Sequence, residues 1–375
     1  MNLNDIRKNI DRIDSQIIEL IKERMDCSKH VAEYKRENGM PVFDAAREQK
    51  ILESLSVRGG EYSSAMKAIY ETVMEQSKAL QYPYVKSEQL RTFGPLKPHD
   101  NVKIIACQGV KGAYGAITGA SLYPNAEILY CRTFADVCKA VHDGKAEYGI
   151  LPVENSWAGS VHEVYDLLIN GKFLIAESVD AHIKHNLIGT KDADVSDVTE
   201  IGSHPQALRQ CADFISEHGF VPSEYGNTAV AVKAVAERND KFFAAIGSKD
   251  AAAEYGLKVL KSNIASSASN TTRFVSISEE AQRSPDADKI TMIFSIKHES
   301  GSLCKALTHF ASGGMNLTKI ESRPIKNRDF EYMFYVDVVG SLSDPKTAGV
   351  LATMASELPD LILLGNYRES RIDID

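Results

Sequence analysis

The sequence has no run of about 18 apolar residues, so no membrane-spanning helix is expected. It has no excess of basic residues. The 43 Lys+Arg stand against 51 Asp+Glu, a formal net charge of −8. That balance argues against nucleic-acid binding, which needs a basic footprint for the phosphates. Six cysteines are present, Cys27, Cys107, Cys131, Cys138, Cys211 and Cys304, but none forms a C-x-x-C pair or follows a zinc spacing. They read as free thiols of a reducing compartment. The histidines show no H-E-x-x-H pattern, and neither a Walker motif nor G-x-G-x-x-G occurs. The opening MNLNDIRKNIDRID is charged throughout and has no apolar h-region, so no secretory signal is expected and a cytoplasmic location is. At 43% hydrophobic and 25% charged, the chain has enough apolar residues to build cores, which excludes dominant disorder. Its 375 residues predict two or three domains at roughly 100–200 residues each.

Three segments follow different periods. Up to about residue 82, apolar residues at Leu3, Ile6, Ile10, Ile13, Ile17, Leu20, Ile21, Met25 and Val31 repeat at helical spacing, with no breaker before Asn38-Gly39 and Pro41. A helix of about 30 residues spans about 45 Å. That is too long to bury its stripe within one small domain, so a partner helix from a second chain is implied. A second helix is predicted from Asp44, a natural N-cap, to Arg58-Gly59-Gly60, and a third from about Ser64 to Gln81. Residues 83–100 read as a linker. From 101 to 278 short apolar runs lead into small or polar residues and then helical patterns, the order expected of an α/β sheet with ligands outside its strand C-termini. A second linker covers 279–288. The rest predicts β (290–296), α (302–313), β (317–323), β (330–339), α (346–357) and β (361–368), the ferredoxin-like βαββαβ order. The domains are thus expected at 1–88, 101–278 and 289–375.

The helical segment puts charge where apolar residues belong. Arg24 and Lys35 differ by only about 20° around the first helix and lie on or near its stripe. Asp44, Arg47, Glu48 and Ile51 share one face of the second helix, and Ser77 and Gln81 one face of the third. Inward charge must be paired or matched by a ligand. The cations Arg7, Arg24, Lys35 and Arg47 suit a small anion with several carboxylates. By pattern alone, an internal salt-bridge network stays open. The motifs DIRKNIDRID, ELIKERM, VAEYK, PVFDAARE and EQSKALQ resemble the all-helical chorismate mutase domain. The resemblance implies an intertwined homodimer with Arg7 reaching the other chain's site. It also implies a pericyclic rearrangement of chorismate to prephenate. Arg7, Arg24 and Arg47 would then meet carboxylates, Lys35 and Gln81 the ether oxygen, and Glu48 and Asp44 the ring hydroxyl and nearby donors, with Ser77 in the same site.

In the middle segment, Gly109–Gly115 has G-x-x-G-x-x-G spacing, which reads as a tight turn or an anion-binding nest. Glu154-Asn155-Ser156 follows a strand and is either a polar ligand site or an ordinary loop. His204-Pro205-Gln206 and Asn227-Thr228 open helices and suit caps. Asn270-Thr271-Thr272-Arg273-Phe274 enters a strand. Together GVKGAYG, LPVENSWAGSV, HPQALRQC, NTAVAV, AAIGS and NTTRFV resemble prephenate dehydratase. That likeness implies two α/β lobes like type II periplasmic binding proteins, with crossings near 175–185 and 250–260. It implies that Thr272 hydrogen-bonds in the loss of the ring hydroxyl, with Glu154 the nearest acid candidate. Asn155, Ser156, Gln206, Asn227 and Thr228 become candidate substrate contacts. Arg273 is a carboxylate binder or a structural salt bridge, and Phe274 is core. Gly115 stands where the family's loop usually has serine, so a hydroxyl near the ligand is lost.

GSLCKALTHFASGGMNLTKIESRP resembles the ACT domain of prephenate dehydratases, which implies phenylalanine binding between two such domains and feedback inhibition. The regulatory candidates are Gly301, Leu303, Glu321, Ser322 and Arg323. A silent dimerisation module is the alternative. The three resemblances in this order imply a bifunctional enzyme of phenylalanine biosynthesis, homodimer or tetramer, acting on chorismate and prephenate with phenylalanine as inhibitor and with neither metal nor cofactor. A catalytically degenerate sensor and a two-lobed solute-binding protein are the competing readings.

Overall fold

The computed structural model describes residues 2–84, 90–267, 270–296, 298–325, 332–358 and 360–374. The chain forms two compact units, Met1–Thr92 with Asp288–Leu364, and Phe93–Ala287 with Gly365–Asp375.

The first unit begins with three helices, α1 (Leu3–Glu37), α2 (Ala45–Arg58) and α3 (Ser63–Ala79). Asn2 caps α1 by accepting from the Asp5 N–H, and Asp44 caps α2 by accepting from the Arg47 N–H. α1 buries only Ser28 and Ala32, while Leu3, Ile6, Ile10, Ile13, Ile17, Leu20, Ile21 and Val31 stay exposed. Its apolar stripe therefore finds no cover within one chain.

The same unit holds strands Lys289–Ser295, Leu317–Pro324 and Tyr332–Val339 and the start of strand Ile362–Tyr367, with helices Ser302–Gly313 and Pro345–Glu357. The order is βαββαβ, as the periodicity predicts; the two first residues expected of the third strand, 330 and 331, lie outside the described residues. In the sheet the second strand is an edge, followed by the third, first and fourth. Helix Ser302–Gly313 packs on α3, and helix Pro345–Glu357 packs on the turn Tyr82–Tyr84. At that contact a Cβ on Gly349 would lie 1.8 Å from the Tyr82 carbonyl oxygen, so the glycine is what lets the two backbones meet.

The second unit contains two sheets. One has the order Glu369–Ile374, Leu174–Ile183, Thr271–Ser278, Tyr148–Asn155, Ile104–Gln108, Glu127–Cys131, with the short strand Gly159–Ser160 beside Tyr148–Asn155. The other has the order Lys258–Lys261, Asn186–Gly189, Phe243–Gly247, Glu200–Ser203, Val221–Glu224. The chain crosses between them after Ile183 and returns after Lys261. The return is later than 250–260 because Lys258–Lys261 still pairs with Asn186–Gly189.

Two further departures concern the ends of this unit. Gly94-Pro95 and Gln282-Arg283, from stretches that read as linkers, pair as a short parallel bridge; residues 85–89 of the first linker lie outside the described residues. The final strand, Glu369–Ile374, is not part of the third segment's sheet. It pairs parallel with Leu174–Ile183. Its sequence, ESRIDI, is half charged, so hydrophobic pattern does not announce it.

Gly349→Ala is expected to cost about 3 kcal/mol, the upper end of overpacking penalties, because the obstacle is backbone and cannot rotate away. Urea unfolding monitored by helical circular dichroism measures it.

Candidate active sites

Strand Thr271–Ser278 sits between two neighbours, and its register sets what can meet. Thr272 lies opposite Asn155, and Arg273 opposite Glu154. Side chains alternate across a strand. Thr272 and Asn155 therefore share one face, and Arg273 and Glu154 the other.

On the first face the Asn155 amide is fixed at both ends. Its Oδ1 accepts from the Trp157 and Ala158 N–H groups, each at 3.0 Å. Its Nδ2 must then donate, and does so to Thr272 Oγ1 at 2.9 Å and Asn270 Oδ1 at 3.0 Å. Asn270 and Gln210 form a reciprocal amide pair, with both bonds at 3.2 Å. His185 Nε2 lies 2.7 Å from Gln210 Oε1. A contact that short to a carbonyl oxygen places the imidazole proton on Nε2, so Nδ1 accepts from the Tyr114 hydroxyl at 3.2 Å. Burial pulls the His185 imidazole below its ordinary range, against the opposing effect of the Gln210 bond, and so keeps it neutral. Burial likewise pushes the Tyr114 phenol up. Apart from the half-buried Tyr114 the groups are buried, and the hydrogen bonds that join them make the chain rigid. A cavity of about 200 Å³ opens beside Gln210 and Asn270, with Trp157, Arg209, Asp213 and Ser266 also on its wall.

On the opposite face Arg273 is held by three carboxylates: Glu154 at 3.2 Å, Asp180 at 3.0 Å and Glu369 at 3.2 Å. Of the two readings of Arg273, these ion pairs favour the structural salt bridge, which fastens the C-terminal strand to the sheet. One expectation is corrected. Glu154 faces away from Thr272 and cannot serve as its acid, because the strand alternation directs the two to different sides.

Other candidates take local roles. Ser156 Oγ accepts from the Thr271 N–H at 3.0 Å and is exposed. Asn227 caps helix Thr228–Arg238 by accepting from the Val230 N–H, and Thr228 is the helix's first residue. His204 caps the helix that begins at Pro205. In HPQALRQC the sequence reading takes Gln206; the structure places Gln210 in the network instead. Asn270, His185 and Tyr114 were also missed as site residues. Each comes from a different stretch of chain, and each has an ordinary local reading. The glycine loop is a site of close approach. Gly109 and Gly112 have φ of 109° and 81°, and a Cβ on Gly112 would lie 2.6 Å from Ala251. Ser248 Oγ donates to the Gly112 carbonyl at 3.2 Å, which fixes the loop just ahead of Tyr114.

In the helical unit the structure brings Arg24, Ser77 and Gln81 together. Arg24 donates to Ser77 Oγ and, at 3.4 Å, to the Val73 carbonyl. Gln81 Nε2 donates to the Ser77 carbonyl at 3.0 Å, and its buried Oε1 has no hydrogen-bond partner. Lys35 donates to the Val42 carbonyl at 2.7 Å. Burial lowers its pKa, Asp44 and Glu48 pull it back up, and Lys78 adds to the lowering. Glu48 is 3.2 Å from Lys78, a residue the sequence reading did not select. Lys78 stands three after Glu75, which reads as an ordinary surface pair. Arg47 is exposed. Arg7 is exposed too, about 25 Å along α1 from Arg24 at about 1.5 Å per residue. It therefore cannot reach the Arg24 group within its own chain.

In the C-terminal half of this unit, Gly301 has φ of 87° and opens helix Ser302–Gly313. With Leu303, Ile296, Glu299, Tyr332 and Phe334 it lines a cavity of about 500 Å³. Glu321, Ser322 and Arg323 lie on the edge strand Leu317–Pro324 and do not line that cavity. Within one chain the two groups of regulatory candidates are not joined. Among the described residues, no helix is long and apolar enough to cross a membrane.

Comparison with known proteins agrees with this division of the chain. A family model for chorismate mutase type II matches residues 6–82, and one for prephenate dehydratase matches residues 105–282. A bifunctional chorismate mutase/prephenate dehydratase of Buchnera aphidicola (strain APS) is 30% identical, over 98% of this chain and 96% of that one. Among solved structures, GqqA, titled a novel type of quorum quenching acylase, is 33% identical with a TM-score of 0.66, over 72% of this chain and 98% of that one. The prephenate dehydratase of Arthrobacter aurescens, in complex with L-Phe, is 27% identical with a TM-score of 0.65, over 70% of this chain and 89% of that one. With both family models in order along one polypeptide and a relative matched nearly end to end, the chain belongs to the bifunctional chorismate mutase/prephenate dehydratases.

Proposed function

We propose that the Thr272 network is the dehydratase site and the Arg24 group the mutase site, each working without nucleophile, metal or cofactor. The observation that carries the first assignment is the Asn155 bond to Thr272. Because Asn155 Nδ2 occupies a lone pair of Thr272 Oγ1, the threonine's own proton is free to point at a ligand. Prephenate loses its ring carboxylate as carbon dioxide. The released electron pair moves through the ring and expels the hydroxyl as hydroxide, which takes up a proton from solvent and departs as water. Thr272 hydrogen-bonds that departing oxygen, and its polarised network stabilises the charge that develops there. Arg209, on the wall of the adjoining cavity, meets a substrate carboxylate.

In the mutase site no proton moves. The protein folds chorismate into its reactive conformer and stabilises charge on the breaking ether oxygen. Arg24 and Arg47, with Arg7 of a second copy, bind carboxylates. Lys35 and Gln81 address the ether oxygen, with Ser77 beside them, and Glu48 and Asp44 orient the hydroxyl and neighbouring donors. The uncovered stripe of α1 supports an intertwined homodimer, since so many exposed isoleucines on one helix need a partner.

The βαββαβ half of the first unit is, in this reading, an ACT domain. Its strand Leu317–Pro324 stands at the edge of the sheet, where a strand of a second copy can be added. Such pairing would bring Glu321, Ser322 and Arg323 towards the Gly301–Leu303 cavity of the neighbour and form a site for L-phenylalanine, the ligand named in the Arthrobacter structure. Phenylalanine then inhibits the dehydratase by favouring one quaternary state. The enzyme is a cytoplasmic dimer or tetramer, and the dehydratase half has the two-lobed architecture of type II periplasmic binding proteins.

A chorismate time course that follows prephenate and phenylpyruvate tests both sites. Arg24→Ala is expected to stop chorismate loss while added prephenate is still converted. Thr272→Ala is expected to let prephenate accumulate; continued phenylpyruvate formation excludes its role. The Lys35 assignment predicts a pH effect. With its pKa lowered by burial, mutase kcat/KM falls on the alkaline side below the ordinary lysine range. Asp44→Asn removes a group that raises the Lys35 pKa, so the alkaline limb of the profile moves to lower pH.

A further inference from the structure

A buried cluster of charge in the first unit lies where α3 meets the C-terminal half. Lys78 is 3% exposed, and it directly follows Ser77. Its ammonium lies 2.6 Å from Glu75, 2.7 Å from Glu357 and 3.2 Å from Glu48. These carboxylates come from α3, from the end of helix Pro345–Glu357 and from α2. His309, on helix Ser302–Gly313, lies between two of them, with Nδ1 3.1 Å from Glu75 and Nε2 3.3 Å from Glu357. Lys305 lies 3.2 Å from Glu357, and the Tyr82 hydroxyl 3.3 Å from His309 Nδ1. Burial pushes the Glu357 carboxyl up, but His309 and Lys78 outweigh it and hold it down to about 2. Glu75, His309 and Glu357 are spaced as metal ligands. The Lys78 ammonium, however, already holds both carboxylates, so the cation of this cluster is the protein's own.

The cluster matters because Glu48 is one of its members. Resting on the assignment of Glu48 to the mutase site, we propose that Lys78 is a positioning residue of that site: it holds Glu48 of α2 against α3, and Glu357 of the C-terminal half is the anchor that holds Lys78. Lysine has a long flexible stem and its rotamers cost entropy to fix. Glu75 holds the ammonium at 2.6 Å from the same helix, so it fixes the lysine relative to α3 alone. Glu357 comes from another element and pins the ammonium from the far side. Removing either partner leaves buried carboxylates without their cation or releases the cation from its place. Misplacing a reacting group's neighbour by about 1 Å can cost up to about a hundredfold in rate. The mutase site is therefore completed by a residue outside residues 1–88.

The test uses the full chain with Lys78→Met, Lys78→Arg and Glu357→Gln, and measures kcat and KM for both activities. The expected result is a fall of about tenfold or more in mutase kcat for Lys78→Met, with KM changed by less than about threefold. Lys78→Arg restores most of the lost rate. Glu357→Gln lowers mutase kcat in the same direction. Dehydratase kcat stays within about twofold in all three, since none touches the Thr272 network. Mutase kcat unchanged in Lys78→Met and Glu357→Gln overturns the proposal, as does a rise in KM alone. Parallel loss of both activities also overturns it, because the cluster would then serve folding only. Arg24→Ala in the same assay separates the two levels: if that variant still consumes chorismate, the site assignment fails, and the proposal with it.

Discussion

The register between strands Thr271–Ser278 and Tyr148–Asn155 is the constraint on which the dehydratase half depends. A period of two leaves no freedom once one pair is set. With Thr272 opposite Asn155, a hydroxyl and an amide face the same side and make a polarised donor. With Arg273 opposite Glu154, the reverse side collects charge and ties in the C-terminal strand through Glu369. A slip of one residue would exchange the two faces, placing an arginine in the site and a threonine in the salt bridge. In the proposed reading the TTRF motif has two adjacent functions, one chemical and one architectural.

The network around Thr272 is uncharged. Its members are amides, hydroxyls and an imidazole that burial keeps neutral. A neutral network, bonded within itself except for the Thr272 proton, suits a reaction in which a dianionic substrate sheds a carboxylate and a hydroxyl. Charge in the site that was not already paired would cost several kcal/mol to bury. The cations and carboxylates are instead placed on the opposite face of the sheet, as in the Arg273 group, or at the cavity wall, as with Arg209.

The first unit solves the opposite problem, how to keep charges inside. α3 carries Ser77 towards Arg24, with Gln81 just past its end, and Glu75 and Lys78 towards the helices of the C-terminal half. One helix thus serves the proposed mutase site and an internal ion cluster at once. Gly349 allows this arrangement, since only a residue without a side chain lets helix Pro345–Glu357 approach the Tyr82 backbone and present Glu357 to Lys78. Burial of the ion cluster makes each member depend on the others.

The sequence by itself determined the secondary-structure periods, the βαββαβ order and the residues of the mutase group that lie on helix faces. These are local properties: helical spacing and caps place Arg24, Lys35, Asp44, Glu48 and Ser77 whatever surrounds them, and Gln81 follows just past the end of α3. Thr272 and Asn155 were also legible, because each sits in a compact motif. Only the tertiary structure decided that Gln210 and not Gln206 joins Thr272, that His185 and Tyr114 orient it, and that Glu154 faces away. The same holds for the final strand and for Lys78. A glutamine on a short helix, a lysine three residues after a glutamate and a half-charged strand have no distinguishing local pattern. Their roles come from partners far along the chain, 60 residues away for Gln210 and Asn270 and 279 for Lys78 and Glu357. Hydrogen bonds and ion pairs act over a few ångströms of space, and sequence spacing carries no measure of that distance once the chain has folded back on itself.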